Sequence, residues 1–473
     1  MIGHRSSILR RRRQRSAIVR ATFLAAIAGV TATAPSAGAQ AGHSAVGVQA
    51  LTLHDVLDSA LARHPLVEAA HARVRAAHGT RTTAGAFGNP MLSYDVENAP
   101  FPGGSRAPAM ARETMTTATL PLESFVQRFP RTRRADAEVR AAEADARGVR
   151  QQLALDASRA FFRTALAQVS IEVAGDLTTW LDSVVAYNRT RVEEGVAAEA
   201  DLIRAELERD RAAAQLTLHE ADYARTRAEL AAFLGDLRSG VPNVVVTIDD
   251  ATIPLPDFPD SSSARSDAHA APLAVAQTDL ERRPDVRAAR ERLTSAGAGI
   301  SVERATILRE LGATFGAKRT AGTTSMVAGL SLPLPIFDPN RGEIARASAE
   351  RDVAALDLAA RERTARAELA GAYEAARLLT AQVSLLTRGT AGRPAFLSRA
   401  DEARRIALGA YREGAVPLLQ VIDAARAWGD ARLAFYETLY AQHESVALLL
   451  VARGDDLFTE LPALARSGQR TPR

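Results

Sequence analysis

The chain has 473 residues, 47% of them hydrophobic and only 5% aromatic, with 59 basic side chains against 55 acidic ones and no cysteine. The missing cysteines exclude a disulfide scaffold, a thiolate metal site and an N-terminal lipid carried on cysteine. Abundant Ala, Leu, Arg and Glu with few aromatics is the composition of long packed helices, not of several separate globular domains.

In chain order, residues 1–39 read as an export signal. Arg10 to Arg13, Arg15 and Arg20 form a basic head, an apolar stretch around Phe23, Leu24, Ile27 and Val30 follows, and Ala37-Gly38-Ala39 is an A-x-A exit, so cleavage after Ala39 is predicted. The apolar stretch falls short of the roughly 20 residues of a spanning helix, and no other run comes closer. Seven arginines and no acid lie in this segment. Removing them leaves 52 basic against 55 acidic groups, a net charge of −3. The pI of 9.7 is therefore no argument for nucleic acid, and no nucleic-acid partner is expected.

The remainder is one unit written twice. Arg63-His64-Pro65-Leu66-Val67-Glu68-Ala69-Ala70 recurs as Arg282-Arg283-Pro284-Asp285-Val286-Arg287-Ala288-Ala289. Further on, Arg191-Val192-Glu193-Glu194-Gly195-Val196 recurs as Ala410-Tyr411-Arg412-Glu413-Gly414-Ala415. Both pairs share an offset of 219 residues, which coincidence does not explain. The predicted layout is a first repeat over 40–235, a connector rich in Pro, Asp and Ser over 236–278, a second repeat over 279–455, and a flexible C-terminal tail over 456–473.

Each repeat runs in the same order. An amphipathic helix (51 to about 86; about 279 to 308) leads to two short strands and then to one very long helix, 131–194 in the first half and 342–413 in the second. Apolar residues at Val139, Ala142, Ala146, Val149, Leu153, Leu166, Val169, Val173, Leu177, Trp180, Val184 and Tyr187 mark a coiled-coil seam. Each long helix breaks at a glycine, Gly195 or Gly414, and a return helix follows. The strands alternate with period two. Leu92, Tyr94 and Val96 share one face against Ser93, Asp95 and Glu97; Ala313, Phe315 and Ala317 alternate with Gly312, Thr314, Gly316 and Lys318; Met326, Ala328 and Leu330 alternate with Ser325, Val327 and Gly329. Such apolar-out, polar-in strands suit a membrane barrel with a wet lumen, and residues 99–112 and 319–324 are expected as its outer turns. Four strands cannot close a barrel and an open sheet cannot lie in lipid, so several copies must pool strands.

Signal, duplicated halves, two strands per half and two helical hairpins together resemble the TolC-like outer-membrane factor family over essentially the whole mature chain. The residues that carry the resemblance are Leu51-Thr52-Leu53 leading to His64-Pro65, Gly88-Asn89-Pro90, Leu332-Pro333-Leu334-Pro335-Ile336-Phe337, and the two tips around Gly195 and Gly414. The stretch from Tyr411 to Leu419 is similar to the heavy-metal cation efflux branch. The resemblance implies a mainly α fold with a small antiparallel β part: long helical hairpins forming an α-barrel, plus four strands per protomer contributing to a trimeric twelve-stranded β-barrel. It implies an outer-membrane exit duct with a large periplasmic portion, and not an enzyme. Its implied partners are two further copies, outer-membrane lipid, a periplasmic adaptor (membrane fusion) protein and an inner-membrane pump of the resistance-nodulation-division type. By the same resemblance Gly195, Val196, Gly414 and Ala415 contact the adaptor, and Asp201, Tyr411, Gln420 and Asp423 form the periplasmic gate, with Tyr411 placed to bond Asp201. Gln420 and Val416 depart from the family's acidic and basic gate residues.

No catalytic constellation and no cofactor motif is present in the sequence. His64, His71 and His78 recur every seventh residue, about 10 Å apart along a helix, too far for one ion. A periplasmic coiled-coil scaffold that never enters the membrane is the competing reading. It accounts for the heptads but not for the paired alternating strands.

Overall fold

The computed structural model of the protein describes residues 49–99, 111–235, 244–247, 251–256, 280–332, 334–389 and 394–468. Residues 1–48, which include the export signal, residues 100–110 of the first strand loop, most of the connector and the last five residues lie outside the described residues. Nine α-helices are described: α1 Leu53–Arg63, α2 Pro65–Ala84, α3 Glu123–Glu193, α4 Glu199–Leu234, α5 Pro284–Ala305, α6 Arg341–Thr387, α7 Phe396–Arg412, α8 Leu418–Arg453 and α9 Leu457–Gly468. The strands are β1 Gln49–Leu51, β2 Met91–Glu97, β3 Glu113–Pro121, β4 Val244–Val246, β5 Gly312–Thr320 and β6 Thr323–Ser331.

Local chemistry sets the boundaries. Thr52 caps α1 through a reciprocal capping box with Asp55. The expected first helix is in fact two, because Pro65 follows His64 and the residue before a proline is driven to extended backbone; His64 then caps α2 through its ring nitrogen. α3 starts at Glu123, eight residues before the expected 131, and carries Pro130 inside it at the cost of one hydrogen bond to the preceding turn. At 71 residues it is about 105 Å long.

The second long helix is a further correction. Expected to run unbroken over 342–413, it ends at Thr387 and resumes at Phe396. Gly389, Gly392 and Pro394 occupy the gap, and a proline cannot donate to the helical ladder. The return helices keep the repeat: α4 and α8 are both 36 residues long and begin at Glu199 and Leu418, at the predicted offset.

α3 is the central strut, packing against α2, α4, α5 and α8, while α8 packs in turn against α6 and α7. The order α4, α3, α8, α6/α7 leaves α4 and α6/α7 outermost. The main core lies where α3 and α8 cross the level of α1 and α9, around Phe161, Phe162, Trp428, Tyr440, Leu449 and Leu450. The expected flexible tail includes α9, whose Leu457 and Leu461 are fully buried in this core. Parts of the connector also join it. β4 pairs in parallel with β1, and Ile253 exchanges hydrogen bonds with buried Gln442 through both its N–H (3.3 Å) and its carbonyl (2.6 Å).

The four remaining strands form one antiparallel sheet, β2-β3-β5-β6. The expected faces of β2, β5 and β6 are realised, and β3, for which no face was expected, continues them. Leu92, Ala118, Phe315 and Ala328 lie in one row, and Tyr94, Thr116, Ala317 and Met326 in the next. This apolar face is open, with Leu92 at 75% and Met326 at 85% exposure. The opposite face is polar and bonded within itself: Ser93 to Thr117 (2.7 Å), Thr119 to Thr314 (3.1 Å), and Lys318 to Glu113 and Glu97. Gly316 is required where β5 meets β3, since a Cβ there would stand 2.2 Å from the Thr116 carbonyl oxygen. A two-residue turn at Ala321 and Gly322, both with positive φ, joins β5 to β6.

Candidate functional site

The two hairpin tips have the same backbone. α3 ends at Glu193 and Gly195 takes φ +75°; α7 ends at Arg412 and Gly414 takes φ +76°. In the first, Gly195 N–H donates to Val192 O (2.9 Å) and Val196 N–H to Arg191 O (2.8 Å). In the second, Gly414 N–H donates to Tyr411 O (3.0 Å) and Ala415 N–H to Ala410 O (2.8 Å). Each is a Schellman closure, which needs a left-handed residue just past the helix end. Nothing lies within 4 Å of a Cβ built on either glycine, so glycine is held there by backbone conformation and not by crowding. Gly195, Gly414, Ala415 and Val196 are all exposed, as a docking surface requires.

Behind the tips lies a small core of its own. Val184, Ala205, Tyr411, Leu418, Val421 and Ile422 are buried together, flanked by Trp180, Tyr187 and Leu408. Tyr411 does not bond Asp201 as the resemblance implied. Its hydroxyl donates to Asn188 Oδ1 at 2.5 Å, and Asn188 in turn donates from Nδ2 to Val184 O (2.8 Å). The reason is reach and burial. Asn188 is wholly buried on α3 and its Oδ1 needs a donor, whereas Asp201 is only half-buried in the first turn of α4. Asp201 still acts through space. Burial raises the Tyr411 phenol above its ordinary pKa and the Asp201 charge adds to that, against a lowering by Arg191. The phenol is therefore a firm donor at neutral pH.

Three residues of this lock were missed in the sequence: Asn188, Tyr187 and Arg191. The Arg191 guanidinium lies 5.6 Å from the ring centres of both Tyr187 and Tyr411, and it donates to Val196 O at 3.4 Å. A polar Asn following Val184 and Tyr187 along an apolar seam was the available signal.

Gln420 and Asp423 are both exposed, one turn apart on α8. Asp423 Oδ1 is 3.9 Å from Arg426 Nη1, and Arg426 is held in a two-point pair by Glu208 of α4. Gln420 and Asp423 thus share an exposed face of α8, whereas Tyr411 is buried and Asp201 half-buried. Among the described residues no group of three or more His, Asp or Glu side chains is arranged to hold a metal ion, and no helix is long and apolar enough to cross a membrane. His71 and His78 are exposed, and His64 serves as a helix cap.

The profile of the outer membrane efflux protein family matches residues 56–236 and 275–455. The cobalt-zinc-cadmium resistance protein CzcC of Cupriavidus metallidurans is 25% identical over 406 residues, 84% of this chain and 89% of that protein. The nickel-cobalt-cadmium resistance protein NccC of Alcaligenes xylosoxydans xylosoxydans is 28% identical over 335 residues, 67% of this chain and 69% of the relative. Among solved structures, that of CusC superposes with a TM-score of 0.68 at 18% identity, over 85% of this chain and 92% of its own. The Campylobacter jejuni CmeC outer membrane channel gives 0.67 at 16% identity, over 88% of this chain and 89% of its own. These two likenesses concern the fold.

Proposed function

Because the chain belongs to the outer membrane efflux protein family, we propose that it is the outer-membrane exit duct of a tripartite system exporting heavy-metal cations. The metal cargo rests on the two curated relatives, both named for resistance to divalent metals. The single observation that carries the duct is the sheet, apolar and open on one face, polar and self-bonded on the other, with β2 and β6 left as edges. An open sheet edge is not tolerated in lipid. Three copies joined β6 to β2 give twelve strands, above the minimum of about eight for a closed bacterial barrel.

The helical part favours the same ring. Its outermost helices expose apolar residues at seam spacing, Ile203, Leu207 and Leu218 on α4 and Val353, Leu356 and Leu385 on α6. Two different surfaces that meet head to tail form a closed cyclic assembly when the rotation closes. In this reading the tips at Gly195, Val196, Gly414 and Ala415 meet a periplasmic adaptor that links the duct to an inner-membrane pump of the resistance-nodulation-division type. Asp201, Tyr411, Gln420 and Asp423 belong to the periplasmic gate, and Asn188 and Arg191 join them. The division into signal, two repeats, connector and tail, revised for α9, is the layout that serves this assembly.

The test is fractionation with topology. Heat-modifiable trimers in the outer membrane, with a tag at the Gly322 turn reachable from outside intact cells and one at Gly195 protected, are expected. A soluble periplasmic protein would replace the duct with a scaffold.

A further inference from the structure

We propose that the start of α3, beyond the end of the sheet, is a binding collar for anionic phospholipid, with aromatic side chains at the edge of the hydrocarbon and arginines at the phosphates. The inference rests on the reading that the sheet lies in the outer membrane. Pro121, Gly312 and Ser331 are register partners, so α3 and the segment after β6 leave the same end of the sheet, opposite the Ala321–Gly322 turn. At that end the apolar surface continues past the last strand residues. Phe125 is 65%, Phe129 73% and Phe337 98% exposed, far more than side chains of this size leave to water without cause.

The chemistry then changes within two turns. Phe125, Phe129 and Arg133 stand four residues apart on one ridge of α3, each step about 6 Å along the axis. A headgroup layer is about 5–8 Å deep, the difference between a hydrocarbon core of about 30 Å and a bilayer of about 40–45 Å shared between two leaflets. Phenylalanine at the boundary therefore places arginine at phosphate depth. Arg128 lies beside the ridge, its Cζ 5.0 Å from the centre of the Phe87 ring, which itself packs 5.2 Å from Phe125. Arg128 Nε donates to Gly85 O at 2.8 Å, one donor of five on a guanidinium suited to phosphate.

Charge complementarity selects an anionic lipid over a neutral one. Residues 124–135 contain Arg128, Arg131, Arg133 and Arg134 and no acidic residue. The acids on either side are engaged, Glu123 by the Glu310 N–H, Asp136 by Arg81 and Glu138 by Arg134, which leaves Arg128, Arg131 and Arg133 as the uncommitted charges of the stretch among the described residues. On an anionic surface each exposed arginine is worth about fivefold in binding, the factor for about 1 kcal/mol.

The chain has no cysteine, so single substitutions to cysteine accept one spin label each. Trimers of Leu92→Cys, Phe129→Cys, Arg133→Cys and Glu194→Cys are reconstituted in vesicles of phosphatidylglycerol and phosphatidylcholine. Expected are a label in hydrocarbon at 92, at the interface at 129, at the phosphates at 133 and in water at 194. Water exposure at 129 with burial at 92 overturns the collar, as does burial at 129 by a neighbouring copy, seen as spin coupling within the trimer. Water exposure at 92 overturns the membrane reading itself. Separately, wild-type trimers should retain phosphatidylglycerol over phosphatidylcholine, Arg128→Gln/Arg133→Gln should lose about fivefold of that preference per arginine, and the corresponding Lys variants should keep it. Equal retention by wild type and the Gln pair refutes the phosphate contact.

Discussion

The Tyr411 hydroxyl at the end of α7 donates to Asn188 Oδ1 on α3 at 2.5 Å, and both side chains are buried. This bond joins the two hairpins of a protomer close to their tips. Any widening of the tips that separates α7 from α3 must break it. Tyr411→Phe leaves the Asn188 oxygen buried without its donor, a cost of about 1–3 kcal/mol. The variant is expected to form normal trimers with higher single-channel conductance than wild type. Unchanged conductance would remove this pair from the gate.

Gly195→Val and Gly414→Val force a β-branched residue to a φ near +75°. The left-handed conformation costs about 1–2 kcal/mol for an ordinary residue and more for a branched one. Both turns are remote from the main core, so trimers should survive while metal export in cells is lost. Export at wild-type level would place the adaptor contact elsewhere.

On the proposed gate assignment, Asp423 in a trimer would contribute three carboxylates around the axis, and charges so arranged attract cations. Its neighbour Arg426 is held at two points by Glu208 and reaches Asp423 Oδ1 only at 3.9 Å. Asp423→Ala should weaken block by divalent cations in single-channel recordings more than Gln420→Ala does. Equal behaviour of the two variants marks Asp423 as a solvated helix residue.

On the sheet, Leu330 lies on the apolar face and its neighbour Gly329 on the polar one. A lysine at 330 should cost about 2–4 kcal/mol if the position lies near the midplane, and one at 329 much less. The yield of membrane-inserted trimer reads the difference. Equal tolerance would contradict the assignment of faces.

Arg283 is buried within the second repeat and donates to Asp285, to Glu368 (2.6 Å) and to the Ala452 carbonyl. Burial alone would raise the Asp285 pKa, but the Arg283 hydrogen bond and charge outweigh it and hold the carboxyl below its ordinary 3.8. A depressed carboxyl stabilises the fold above about pH 3.8, and that contribution is lost as pH falls further. Arg283→Gln should lower stability at neutral pH by about 1.5–3 kcal/mol and flatten its acid dependence, measured as the midpoint of thermal trimer dissociation.

The sequence by itself determined whatever depends on period and backbone chemistry. The 219-residue repeat set α4 and α8 to matching positions, alternation fixed which face of β2, β5 and β6 is apolar, and Gly195 and Gly414 marked the turns because only glycine takes that conformation cheaply. Proline by itself does not mark a break: Pro130 is carried inside α3, while Pro394 with its flanking glycines lies in the gap between α6 and α7. Tertiary structure alone decided the long-range partners. Nothing local to Tyr411 tells it to choose Asn188, 223 residues away, over Asp201, because that choice depends on which side chain the packed helices bury within reach. The same holds for α9. Its short apolar pattern became a helix only because α1, α3 and α8 present a surface on which Leu457 and Leu461 are removed from water.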